Sequence, residues 1–316
     1  MTITSVRPAD LRAERWRVRG RSAKTFTKRF AKRGDGVVGL IILLVFTFLA
    51  LFPTLLVGDL ETVVTASGDK FEPPSATHIF GTDHLGRDML NLTVHGARIS
   101  MVIGLLATLI TILLGALIGI IAGFLGGRTD TGLMRVTDFF LVLPTFVLAI
   151  ILAPVILDIV GQDAEFMGIR ATLIVIVVVI GITSWASTAR VIRSQTLSIK
   201  ERMFVSRARV IGASGRYIMR RHVLPNVVNL IVASTVLTFA GAVFTETSLS
   251  FIGLGDPSQP SWGTLLNSAY TSGAAGLGAW WYIVPPATCV VLVILAFTLV
   301  GNALDDILNP RSAVRR

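Results

Sequence analysis

The sequence predicts an all-α polytopic membrane protein with six transmembrane helices. Three observations carry that class. The 316 residues are 53% hydrophobic and 15% charged, with a mean hydropathy of +0.73, whereas soluble domains carry closer to about 25% charged residues. Six apolar runs, 37–57, 100–125, 139–160, 171–189, 227–247 and 283–303, reach the roughly 20 residues needed to cross a bilayer. The basic residues fall in alternate connections. Ser184, Trp185, Thr235 and Thr238 make two of the runs less pure, a composition that helix interfaces and pores tolerate.

Orientation follows from the Lys/Arg distribution. Residues 1–36 hold eleven, the 127–138 connection two, the 190–226 loop nine and the tail beyond Asn309 three, against Lys70, Arg87, Arg98 and Arg170 in the alternate compartment. That is 25 against 4, so both termini and the 190–226 loop are expected to be cytoplasmic. The formal net charge of +10 is then a topology signal, and a nucleic-acid partner is not expected. Membrane lipid is the surrounding partner. The single cysteine, Cys289, excludes an internal disulfide.

Taken in order, residues 1–36 form a basic cytoplasmic segment. Its apolar successor is too long, and its basic part too extended, for a cleavable signal. Within it, 24–32 has the pattern of a short basic helix carrying Phe26 and Phe30. The first transmembrane helix is 37–57, and 58–99 is an extracytoplasmic segment. There Thr82 or Asp83 is suited to cap a helix, with Arg87 and Asp88 as a local pair. His78, His84 and His95 have no standard metal-ligand spacing. In the second run Gly115, Gly119 and Gly123 recur at i+4, which allows close helix approach. Pro144 and Pro154 predict a bend in the third run. Trp280, Trp281 and Tyr282 sit where an aromatic belt belongs. Glu246 stands at the outer end of the fifth run, either solvated there or facing a translocation path.

The 190–226 loop is the most informative part. Phe204, Ala208 and Ile211 recur at i, i+4 and i+7, predicting one apolar stripe on a short helix. Gly212 ends that helix, and a second helical run precedes Leu224-Pro225. An amphipathic helix off the membrane suits either a groove on a partner or packing on the chain's own spans. The length of the loop and its clustered cations favour the partner.

The pattern Ala208…Gly212…Leu224-Pro225 resembles the coupling loop of permease subunits of binding-protein-dependent ATP-binding-cassette importers. The motifs His78-Ile79-Phe80-Gly81-Thr82-Asp83-His84-Leu85-Gly86-Arg87-Asp88, Gly96-Ala97-Arg98-Ile99-Ser100, Glu246-Thr247-Ser248-Leu249-Ser250-Phe251-Ile252-Gly253-Leu254-Gly255 and Trp262-Gly263 are similar to the second permease subunit of the dipeptide/oligopeptide/nickel importers. The likeness runs from about Arg33 to Pro310. It implies a type I importer (MetI-like) permease core over 100–305 and a cytoplasmic tail at 306–316. It also implies location in the bacterial cytoplasmic membrane. Its implied partners are a second homologous permease, two ATPase subunits or a fused ATPase, an extracytoplasmic solute-binding protein and a peptide substrate, with nickel or another small solute as the alternative. ATP and magnesium would belong to the ATPase subunits, and no cofactor to this chain. Phe204, Ser206, Arg207, Ala208, Ile211, Gly212, Leu224 and Pro225 would be the ATPase-coupling positions. The family's loop begins Glu-Ala-Ala, where this chain reads Ser206-Arg207-Ala208. Glu201, five residues earlier, is about 140° away around a helix and does not replace that acid.

The sequence has no Gly-x-x-x-x-Gly-Lys-Ser/Thr phosphate loop and no His-Glu-x-x-His zinc motif, so the chain is not expected to be an enzyme. A secondary carrier would place acids inside its spans. Asp138, Asp158 and Glu246 instead lie near span ends.

Overall fold

The computed structural model describes residues 27–161, 164–166 and 169–308. Residues 1–26 of the basic segment, Phe26 among them, and 309–316 of the tail lie outside the described residues. Of the expected basic helix, residues 27–31 are helical.

Helix α1, Gly34–Leu51, stops at Phe52, and Pro53 starts the short α2, Pro53–Val57, followed by α3, Leu60–Val63. Helix α4, Met89–Leu125, has 37 residues and spans about 56 Å, nearly twice a bilayer's apolar thickness. It begins eleven residues before the apolar run because Asp88 caps it, accepting from the Asn91 N–H at 3.0 Å. The expected cap at Thr82 or Asp83 is thereby corrected. Asp83 pairs instead with Arg87 at 2.6 Å and accepts from the Leu85 and Arg87 N–H groups at 2.8 and 2.9 Å.

The third run is broken rather than gently bent. Helices α5, Gly127–Val142, and α6, Thr145–Val160, meet at 91°. Pro144 is the cause, since its ring disfavours helical backbone at Leu143, which is extended (φ −79°, ψ 129°). Pro154 is accommodated inside α6. Two-residue strands β1 (Glu165–Phe166) and β2 (Ile169–Arg170) pair antiparallel before α7, Ala171–Lys200. The hairpin then holds α8, Met203–Val210, and α9, Gly215–Ile218. A π-helical turn, Met219–Val223, leads into α10, Leu224–Leu249, which ends in a second π turn, Ser250–Leu254. Helix α11, Trp262–Thr271, a 3₁₀ turn at Trp280–Tyr282 and α12, Val284–Leu308, complete the described residues. Among the described residues, five helices are long and apolar enough to cross a membrane, and a sixth if the bent α5–α6 pair counts as one span.

The α4–α7 pair forms the most extensive helix contact, and glycine makes it possible. A Cβ at Gly115, Gly119 or Gly123 would lie 2.7, 2.5 or 2.8 Å from atoms of Thr188, Ala189 or Thr196. The backbones can approach this closely only because those Cβ atoms are missing. The buried core beside it joins Ile103 and Ala107 to Val175, Ile176, Val179 and Ile180. Helix α10 packs on α4 and α12, and α1 on α12, where Gly39 faces the Ala296 carbonyl. Arg33 ties this corner together, pairing with Asp35 at 3.0 Å and Asp306 at 2.8 Å.

Candidate functional site

The hairpin is built around a small apolar base. Val205, Ala208, Ile218, Val223 and Val227 pack on Ile120, Ile192 and Ile199 at the ends of α4 and α7. The loop is shorter than its polar sequence suggests, because 190–200 continues α7 as helix. Helix α8 ends at Gly212, whose φ is +83°, a conformation that glycine adopts without steric cost. The Gly212 N–H donates to the Arg209 carbonyl at 2.9 Å and the Ala213 N–H to the Ala208 carbonyl at 3.0 Å, the bond pattern of a Schellman cap.

Pro225 does not close the helical run. One continuous stretch, Gly215–Leu254, has 40 residues. Proline offers no N–H, and the π turn Met219–Val223 immediately precedes it. The Asn226 amide donates to the His222 carbonyl at 2.6 Å, so a carbonyl beside the proline is satisfied by a side chain.

The expected stripe of Phe204, Ala208 and Ile211 is corrected at Ala208. Val205 and Ala208 are buried, while Phe204 is 41% and Ile211 83% exposed. At about 100° per residue, Val205 draws the inner face toward itself, taking Ala208 with it and leaving Phe204 and Ile211, about 20° apart, together on one flank. Met203 and Val210 are also exposed, as are Ser206, Arg207, Leu224 and Pro225. The outer surface of the hairpin is therefore apolar and cationic, with Arg202, Arg209, Arg216, Arg220 and Arg221 around it. Met203 and Val210 were missed because they stand off the i, i+4, i+7 repeat.

Beside the hairpin, α5 is clamped to the extension of α7. Arg193 donates to both oxygens of Asp130 at 2.5 and 2.6 Å, and Arg190 pairs with Asp138. The guanidinium holds the Asp130 carboxyl below the usual carboxylate range.

At the far side of the molecule, Glu246 is neither solvated nor open to a path. It is fully buried and accepts from Ser250 at 2.9 Å and Thr247 at 3.3 Å. The end of α10 is thus a packed centre, because α11 folds back over it. The nearby 58–99 segment is likewise packed. His84 Nδ1 lies 2.9 Å from the Tyr282 hydroxyl, and the Trp281 indole N–H donates to the Thr82 carbonyl at 3.1 Å. Tyr282 is buried and Trp280 is 57% exposed, so Tyr282 belongs to the core and not to an aromatic belt. Burial pushes the His84 imidazole down. His78 lies on Glu72 at 3.2 Å and His95 on the Gly58 carbonyl at 2.9 Å. Among the described residues, no three His, Cys, Asp or Glu side chains converge on one point.

The sequence matches, over residues 115–314, the family described as "Binding-protein-dependent transport system inner membrane component". The chain belongs to that family. It is 35% identical to the oligopeptide transport system permease protein OppC of Bacillus subtilis, over 90% of this chain and 88% of that one. It is 39% identical to the probable peptide ABC transporter permease protein y4tQ of Sinorhizobium fredii, over 91% and 93%. Its fold is similar to that in an inward-facing structure of the MetNI methionine ABC transporter, with a TM-score of 0.55 and 20% identity, covering 72% of this chain and 98% of that one. This permease is thus a multi-pass membrane component of an ABC importer, a transport protein and not an enzyme. The family's description itself implies partnership with a binding protein.

Proposed function

We propose that this permease forms half of the pathway through which an ATP-driven importer moves di- or oligopeptides across the bacterial cytoplasmic membrane. The hairpin carries the reading. Its base is fixed to the spans, its outer surface presents apolar and cationic side chains, and its second arm continues without a break into α10. Such an element passes force between the membrane and a soluble partner. That partner is the ATPase pair, with Phe204, Ser206, Arg207, Ile211, Leu224 and Pro225 on the docking side, Ala208 packing the hairpin from within and Gly212 turning the chain at its surface. A second permease completes the pathway, and a solute-binding protein delivers cargo outside. The names of the relatives favour peptide over nickel as that cargo.

The test is reconstitution with the neighbouring permease, ATPase and binding protein in lipid. Peptide-loaded binding protein should raise ATP hydrolysis severalfold over unloaded protein, and the isolated permease should hydrolyse none. Stimulation by nickel-loaded and not by peptide-loaded binding protein would overturn the peptide assignment.

The basic asymmetry of the sequence supports a cytoplasmic location for the termini and the hairpin. Ser198 and Ser214 are both exposed on the structure. With Cys289 replaced, Ser198→Cys and Ser214→Cys should resist a membrane-impermeant thiol reagent in intact cells and react after permeabilisation. Efficient labelling of either in intact cells would reverse the topology.

A further inference from the structure

Glu246 is a buried acid that the docking reading does not use. Four hydroxyls surround it. Thr247 and Ser250 come from its own helical run, and Ser100 of α4 and Ser261 at the cap of α11 also reach it. The two distant serines have a further property. Ser100 Oγ accepts from the Trp262 N–H at 3.2 Å, and Ser261 Oγ accepts from the Thr264 N–H at 3.2 Å. Each serine therefore receives an amide at the start of α11 and has its own proton free beside Glu246. The first turn of α11 is relayed through two serines onto one carboxyl group.

The surrounding packing is tight. A Cβ at Gly263 would stand 2.5 Å from Ser250 Cβ and 2.6 Å from the Thr247 carbonyl, so α11 sits directly on the end of α10. Trp262 is fully buried and its indole N–H donates to the Thr93 carbonyl of α4 at 3.1 Å. Glu246 lies near one end of the 40-residue stretch Gly215–Leu254. The hairpin forms the other end.

We propose that Glu246 is the positioning residue that fastens the far-side segment 250–264 to α10 and α4, so that motion imposed on the hairpin reaches that segment through α10. The inference rests on the transport reading above, because it needs a partner that moves the hairpin. Each carboxyl oxygen accepts a hydroxyl, Ser250 on one and Thr247 on the other. An amide in its place would present an N–H pair to two hydroxyl protons and break half of the ring.

The experiment is hydrogen exchange on the assembled complex in lipid, with and without trapped ATP, read at 203–211 and at 258–265. In the wild type both segments should change protection on ATP trapping. In Glu246→Gln the hairpin should still respond, the far-side response should disappear, and exchange at 258–265 without ATP should rise roughly tenfold, as expected for loss of a buried hydrogen bond. Ser250→Ala, which removes a hydroxyl that donates to Glu246 and no acceptor of an α11 amide, should shift the same amides in the same direction and decides the matter if Glu246→Gln does not assemble. An unchanged far-side response in a variant whose hairpin responds refutes the fastening role alone. Absence of a hairpin response in the wild type overturns the coupling reading, and this inference with it.

Discussion

Phe204→Ala should weaken ATPase docking by about 2 kcal/mol or more, the cost of truncating an aromatic anchor at an interface, which is roughly thirtyfold in affinity. Phe204 is 41% exposed, leaning on His222 with ring centroids 5.9 Å apart, and stands outside the buried cluster that holds the hairpin. Its removal should therefore leave the hairpin folded while the contact fails. Two consequences are measurable: faster dissociation of the ATPase from the purified permease pair, and ATP hydrolysis that no longer tracks transport. Ser206→Ala should do much less, because the family's acidic contact is already missing there. Ser206→Glu tests the groove itself, since tighter docking would mean that the ATPase retains a cation facing this position. Wild-type association together with wild-type peptide-stimulated hydrolysis in Phe204→Ala would sink the docking role.

Gly119→Leu should be the most damaging single change to the fold. Even a Cβ at this position would stand 2.5 Å from the Ala189 carbonyl and 3.0 Å from the Arg193 amide. Both are backbone atoms, which cannot swing aside as a side chain can. A leucine must separate α4 from α7 along their whole contact or strain both. Overpacking of a close-fitted site costs about 1–3 kcal/mol, and rigid backbone on the opposing side places this site at or above that range. The expected result is a sharp fall in complex yield and in thermal midpoint. Ala at the same position should give a smaller loss of the same kind. A normal yield and midpoint for Gly119→Leu would show that this glycine face does not form the α4–α7 seam.

The glycine seam was legible because its spacing is a property of one helix, as were the apolar runs and the end of α8 at Gly212. Each depends on neighbours within about two helical turns, where sequence distance and spatial distance are the same thing. The third run was only half legible. Pro144 announced a bend, but the 91° break depends on how α5 is held, by Arg193 on Asp130 and Arg190 on Asp138, residues far apart in the chain.

The docking stripe shows the same boundary at finer scale. Periodicity placed Phe204, Ala208 and Ile211 on one side of α8. Which side faces inward was decided by Ile120, Ile192 and Ile199 on other helices, and they selected Val205 and Ala208. Glu246 is the furthest case. As sequence it is an acid at the end of an apolar run, open to solvent or to a path. In the folded chain Ser100 and Ser261 meet it from opposite parts of the sequence, and burial with four hydroxyls replaces water. The sequence by itself determined the membrane class, the spans and the hairpin, because hydropathy and helical period are local. The tertiary structure alone decided what Glu246 and Ala208 touch, because a side chain's surroundings are set by whichever distant segments close packing brings against it.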